Sequence, residues 1–161
     1  MRLLYDVAHN IAKMEEFPVA GRMQRVCVHR KGATRALPPR HPLLPSCYRE
    51  NGQPVLIPGD MASGGFVLAG GERAYPETFG SCCHGAGREM SRAQALKSSK
   101  GRAIAQDLRR QGVVVMATSK ATLGEEIPEA YKRVEEVVEI VHKAGIATKV
   151  ARLQTLARLK D

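Results

Sequence analysis

A chain of 161 residues is long enough to bury one ordinary core. Its 25 basic and 16 acidic side chains leave a formal charge of +9, which favours anionic partners such as RNA, DNA, nucleotides or an anionic membrane surface. Aromatic residues make up only 4% and tryptophan is absent, which argues against a surface that grips single strands by stacking many bases. Phosphate contacts should therefore dominate any RNA binding. No apolar run approaches the span of a membrane helix, and Met1–Asn10 has no signal-like apolar core, so a reducing cytoplasmic compartment is expected. Cys27, Cys47, Cys82 and Cys83 lack the paired spacing of a structural zinc site and do not suggest a disulfide framework.

Along the chain, Arg2–Lys13 opens directly in a mixed apolar and polar pattern, an abrupt start for an intact domain. Val26–His29 predicts a short strand. Pro38–Asn51, with Pro38, Pro39, Pro42 and Pro45 and little periodicity, predicts loop. Val55, Leu56 and Ile57 predict a strand over Pro54–Pro58, closed by the turn Pro58-Gly59-Asp60. Phe66–Leu68 should be its partner, entered through Gly64 and Gly65.

Ser91 followed by Gln94 is a capping box, opening a helix with a broken stripe of Ala95, Leu96, Ala103, Ile104 and Leu108. Gly101 weakens its middle and Gly112 should end it. Val113–Ala117 predicts a buried strand and Thr118–Glu126 a polar turn. The last helix should begin at Pro128. Ala130, Val134, Val137, Val138 and Val141 lie on one face, with Glu129, Lys132, Glu135, Glu136 and Glu139 on the other. Gly145 sits where a C-cap belongs. No repeat, low-complexity tail or linker interrupts the chain, so residues 1–161 read as a single α/β unit.

The densest chemistry lies in Gly80–Arg92. His84 is followed by Gly85, Ala86 and Gly87, small residues that let backbone and phosphate approach closely. Arg88 and Arg92 could both face phosphoryl oxygens if the helix starts early, and a helix N-terminus adds free N–H groups. An imidazole can also be the nucleophile toward a phosphoryl group. The plainer reading is a glycine-rich turn before a capped helix, with His84 in the core or on a metal. His29-Arg30-Lys31-Gly32-Ala33-Thr34-Arg35 is a second basic cluster, suited either to phosphate or to a solvated turn. His9 could ligate a divalent metal, with Asp6 orienting it or capping a turn. Tyr131, expected in the first turn of the last helix, could stack on a base or simply pack. Lys160 is by itself an uninformative charge.

Asp6-Val7-Ala8-His9-Asn10, His29 through Arg35, Pro54–Met61 and, above all, His84–Ser91 resemble, in the same order, segments of the RtcB family of RNA ligases. The likeness runs on to the Lys160 region. It implies an α/β (α+β) fold, the C-terminal part of the RtcB-type architecture, with mixed strands and two or more packed helices. It implies a GTP- and Mn2+-dependent ligase of tRNA splicing and RNA repair. Such an enzyme joins an RNA 3′-phosphate or 2′,3′-cyclic phosphate to a 5′-hydroxyl.

By the same resemblance, His84 becomes guanylylated and Arg88 supports phosphoryl transfer. His9 corresponds to a metal-binding histidine and Asn10 to its active-site neighbour. Ala86 and Gly87 line the nucleotide, and Asp60 and Met61 fall in a nucleotide-holding segment. Tyr131 and Lys160 surround the guanine. The implied sequence is GMP transfer from GTP to His84, then to the RNA 3′-phosphate, then displacement of GMP by the 5′-hydroxyl, after hydrolysis of any cyclic phosphate. RNA is the implied partner, with a possible accessory activating protein.

Two departures stand out. Family members are much longer, and their other metal ligands belong to an N-terminal portion that this chain lacks. The family also often has serines that help hold GMP at the positions of Asp60 and Gly65. A truncated, non-catalytic RNA- or nucleotide-binding or structural fragment is thus the alternative expectation.

Overall fold

The computed structural model describes residue 3, residues 5–117 and residues 119–160. β1 (Asn10–Val19) and β2 (Arg22–Lys31) form an antiparallel hairpin. Its turn is Ala20–Gly21, with φ of 49° and 77°, the positive pair that matches strand twist in a two-residue turn. The hairpin extends the expected Val26–His29 strand and recruits the opening segment. Most of its residues are exposed, which is why no apolar alternation marks it. Phe17 and Arg30 are its buried anchors. The Phe17 ring meets those of Tyr75 and Phe79, with centroids 4.6 and 5.4 Å away.

β3 (Ala33–Arg35) leads into the proline-rich segment, which is irregular as expected except for one 3-10 turn at Ser46–Tyr48. β4 (Pro54–Pro58) and β5 (Gly65–Gly70) pair antiparallel in the predicted place. α1 (Ala74–Thr78) then turns the chain into β6 (Ser81–Cys83), which pairs antiparallel with β3.

The single helix expected between Ser91 and Gly112 is two. α2 (Arg92–Ser99) begins with the Ser91–Gln94 capping box intact. It stops where Lys100 takes ψ of 126°, and α3 (Ile104–Arg110) restarts after Ala103. Separating them lets Ala95 of α2 and Ile104 and Leu108 of α3 reach one core at angles a straight helix could not supply.

β7 (Val114–Ala117) is a strand, but Val114 and Met116 are exposed, so the expectation of a buried strand is only half right. The stretch expected to be a polar turn holds α4 (Lys120–Glu125), started by the Ser119 side chain accepting from the Thr122 N–H. Pro128 opens a 3-10 turn, Pro128–Ala130, rather than the last helix. Tyr131 is extended, and α5 begins only afterwards (Val134–Lys143), with Gly145 following its end. β8 (Ala147–Leu153) adds antiparallel to β5, and β9 (Ala157–Lys160) runs parallel to β7.

The result is a mixed α/β architecture of antiparallel sheets and the parallel β7–β9 pair with packed helices, the class expected. Two cores hold it. In one, Val134 and Val138 of α5 cover Val55, Ile57 and Leu68 of the β4-β5-β8 sheet. Each such side chain contributes about 1.5–3 kcal/mol when fully buried. In the other, Met61, Ile127 and Ala130 pack against α2 and α3. Cys27, Cys47, Cys82 and Cys83 are free thiols. Among the described residues, no helix is long and apolar enough to cross a membrane.

Candidate nucleotide site

Gly32 is the local hinge of the site. It links β2 to β3 with φ of 66°, a left-handed conformation that glycine adopts without strain. Its N–H donates to the His9 carbonyl at 2.9 Å, and its carbonyl accepts from the His84 N–H at 3.3 Å. One residue thus ties together two histidines far apart in sequence. Their rings stack with centroids 3.8 Å apart and planes 25° from parallel.

His84 then faces a cavity of about 370 Å³, at the seam where Ala86 of one core approaches Met61 of the other. The volume falls in the range of small-molecule sites. Asp60, Met61, His84, Ala86, Gly87 and Tyr131 all line it. Gly85 and Gly87 leave backbone open on one wall, where a ligand can approach closely. Burial, and next the neighbouring His9, hold the His84 imidazole below the ordinary histidine range. At neutral pH the ring is therefore neutral and keeps a lone pair for nucleophilic attack.

Asp60 does not aim an unshielded charge into this space. Its Oδ1 accepts from the Ala62 N–H at 2.7 Å and the Ser63 N–H at 2.9 Å, and Oδ2 accepts from Ser63 Oγ at 2.7 Å. The carboxylate thereby closes the β4–β5 loop on itself, in the manner of an Asx turn. Gly65 stands in β5, outside the cavity lining.

Arg88 lies before α2 in extended chain, bridged to Tyr131. It therefore does not share a helical face with Arg92, which sits 3.6 Å from Glu125. Arg88 Nε donates to the Met90 carbonyl at 3.0 Å and Nη2 to the Glu125 carbonyl at 2.5 Å. Nη1 donates to Glu126 Oε1 at 3.3 Å and to the Tyr131 hydroxyl at 2.9 Å. The Tyr131 hydroxyl in turn donates to Glu126, and burial followed by that hydrogen bond pushes its pKa up. Arg88 thus braces the cavity wall that Tyr131 and Glu126 form. Glu126 was not singled out from sequence, because an acidic residue in a polar stretch carries no signal until Arg88 is folded against it.

Of the other expected residues, Asn10 begins β1 opposite Lys31 and is not part of the lining. Lys160 pairs through its backbone with Ala117, and its side chain lies outside the described residues. The basic run His29–Arg35 is split by strand alternation. Arg30 points inward to Glu15 at 2.7 Å, while His29 and Lys31 stay exposed. Among the described residues, no three His, Cys, Asp or Glu side chains converge as metal ligands. His9 with His84 alone does not make a manganese site.

Comparison with known proteins gives the lineage of the chain that carries this histidine-headed cavity. The whole chain, residues 1–161, matches the family described as tRNA-splicing ligase RtcB. It is 54% identical over 160 residues to the tRNA-splicing ligase RtcB of Methanocaldococcus jannaschii, covering 99% of this chain and 16% of that protein. The Archaeoglobus fulgidus relative is also 54% identical over 160 residues, covering 99% of this chain and 33% of its own length. The RNA-splicing ligase RtcB of Mycobacterium bovis is 52% identical over 158 residues, which is 36% of its length. The chain belongs to the RtcB family, and it spans about a sixth to a third of these relatives.

Proposed function

We propose that this chain is the C-terminal, nucleotide-accepting portion of an RtcB-type RNA ligase. By itself it holds guanine nucleotide, and it ligates only when the metal-bearing remainder of such an enzyme completes it. The observation that carries this reading is the His84 ring stacked on His9 at a 370 Å³ cavity with a glycine-rich wall, where burial lowers the imidazole pKa.

In the completed assembly, an unprotonated His84 nitrogen attacks the α-phosphorus of GTP. An N–P bond forms, the bond from that phosphorus to the bridging oxygen breaks, and pyrophosphate leaves with the electron pair. Gly85 and Gly87 give the phosphates room beside the ring, and Tyr131, with the Arg88 guanidinium 4.8 Å from its ring centroid, stands on the wall beside the base. GMP then passes to an RNA 3′-phosphate, and a 5′-hydroxyl displaces it to join the strands. The net charge of +9 supports an RNA partner.

The test uses α-labelled GTP and Mn2+ with the purified chain, alone and mixed with the complementary portion of a relative. Stable label on the mixed assembly that is absent from its His84→Ala counterpart is expected, with none on the chain alone. Equal label on His84→Ala, or none on an assembly whose intact relative labels well, would sink the reading.

A further inference from the structure

A second pocket, of about 100 Å³, shares no lining residue with the His84 cavity. Tyr5, Asp6, Lys13, Arg30, Arg35 and Gln53 contribute to it. Arg30 is the unusual member. Its side chain is only 1% exposed. Nε donates to Ser81 Oγ at 2.8 Å, and Nη2 donates to Glu15 Oε2 at 2.7 Å and to the Phe79 carbonyl at 2.8 Å. Nη1 is buried with no acceptor among the described residues. A buried guanidinium nitrogen normally finds one, because a charged donor withdrawn from water without a partner is costly.

The other groups at the pocket favour an anion as that acceptor. Lys13, Arg30 and Arg35 outnumber the Asp6 carboxylate among the lining charges. Glu15, outside the lining, is shared between Arg30 at 2.7 Å and Arg35 at 3.4 Å, so it offsets one of the two. The Tyr5 hydroxyl accepts from Gln53 Nε2, which leaves its own hydrogen to donate. Gln53 Oε1 is already taken by the Leu37 N–H at 3.1 Å.

We propose that this pocket is a site for a phosphate-class oxyanion, with Arg30 Nη1 as the buried donor and Lys13 and Arg35 as flanking charges. Guanidinium and ammonium donors with a phenol hydroxyl match the several acceptor oxygens of such a group. The same chemistry is offered by an RNA phosphodiester and by free inorganic phosphate. The site does not depend on the reading of the His84 cavity, since the two share no lining.

Inorganic phosphate is titrated into the purified chain in chloride buffer by isothermal calorimetry, with Lys13→Gln, Arg30→Lys and His84→Ala in parallel. One saturable site is expected, weakened about tenfold by Lys13→Gln and abolished by Arg30→Lys. Arg30 is buried against Glu15, so its replacement can disturb folding. Lys13 is exposed, and Lys13→Gln keeps the experiment decisive. Absence of saturable binding would mean a water-filled pocket only and overturn the proposal. Binding that survives Lys13→Gln but is lost in His84→Ala would place phosphate in the other cavity and overturn it as well. Repeating the titration with saturating short single-stranded RNA separates the sources. Displacement of phosphate identifies a backbone subsite, whereas its retention identifies a free-anion site, and both support the pocket.

Discussion

Replacing Tyr131 by phenylalanine removes one hydroxyl and leaves the ring on the cavity wall. That hydroxyl accepts from Arg88 Nη1 at 2.9 Å and donates to Glu126, whose side chain is only 12% exposed. Arg88 keeps the Met90 carbonyl at 3.0 Å, the Glu125 carbonyl at 2.5 Å and Glu126 at 3.3 Å, so its charge stays paired. Glu126 loses a donor in a half-closed setting. Hydrogen bonds to charged groups contribute about 1.5–3 kcal/mol, and the surviving Arg88 contact places the expected loss at about 2 kcal/mol. With urea slopes of about 1–3 kcal/mol per molar for small proteins, the unfolding midpoint should fall by roughly 1 M. Equilibrium urea unfolding followed by circular dichroism reads this directly. Arg88→Met and the double variant close a thermodynamic cycle, in which members of one network couple by about 0.5–3 kcal/mol. An unchanged midpoint, or strictly additive single effects, would refute the account of Arg88, Tyr131 and Glu126 as one unit. GMP affinity should fall further in Tyr131→Ala than in Tyr131→Phe, because only the former removes the ring.

Gly32→Ala and Gly64→Ala separate backbone strain from collision. A Cβ on Gly32 meets nothing within 4 Å, so its cost is the left-handed backbone alone, about 1–2 kcal/mol. A Cβ on Gly64 would collide with the Leu153 carbonyl oxygen and carry the same strain at φ of 77°, so its thermal melting should drop much further. Equal losses would contradict the close β5–β8 approach at that point. His41 gives a pH prediction. Burial, then Arg35, lowers its pKa from the usual 6.5, so the unfolded chain binds its proton first as pH falls. Stability should decline on acidification below about 6.5, and His41→Asn should flatten that part of the profile. An identical slope in the variant, measured by urea unfolding across pH 5–8 (roughly the histidine range), would remove His41 from the explanation.

Local chemistry alone marks the β4–β5 pair, the capped start of α2 at Ser91 and the end of α5 before Gly145. Apolar runs, an N-cap and a glycine stop act within a few residues, so they are legible without a fold. The motif at His84 is legible for the same reason, since small residues beside an imidazole are a local arrangement. The β1–β2 hairpin is not, because its strands are largely exposed and carry charges on both faces. Nor is the division of α2 from α3, which answers to a shared core rather than to propensity. Tertiary structure decides which residues meet. It brings His9 onto His84 through Gly32, turns Arg88 to Glu126 and Tyr131, and buries Arg30 while leaving its sequence neighbours in solvent. Those outcomes depend on contacts between distant segments and, for Arg30 in β2, on strand register, where a one-residue shift would send its side chain to the opposite face.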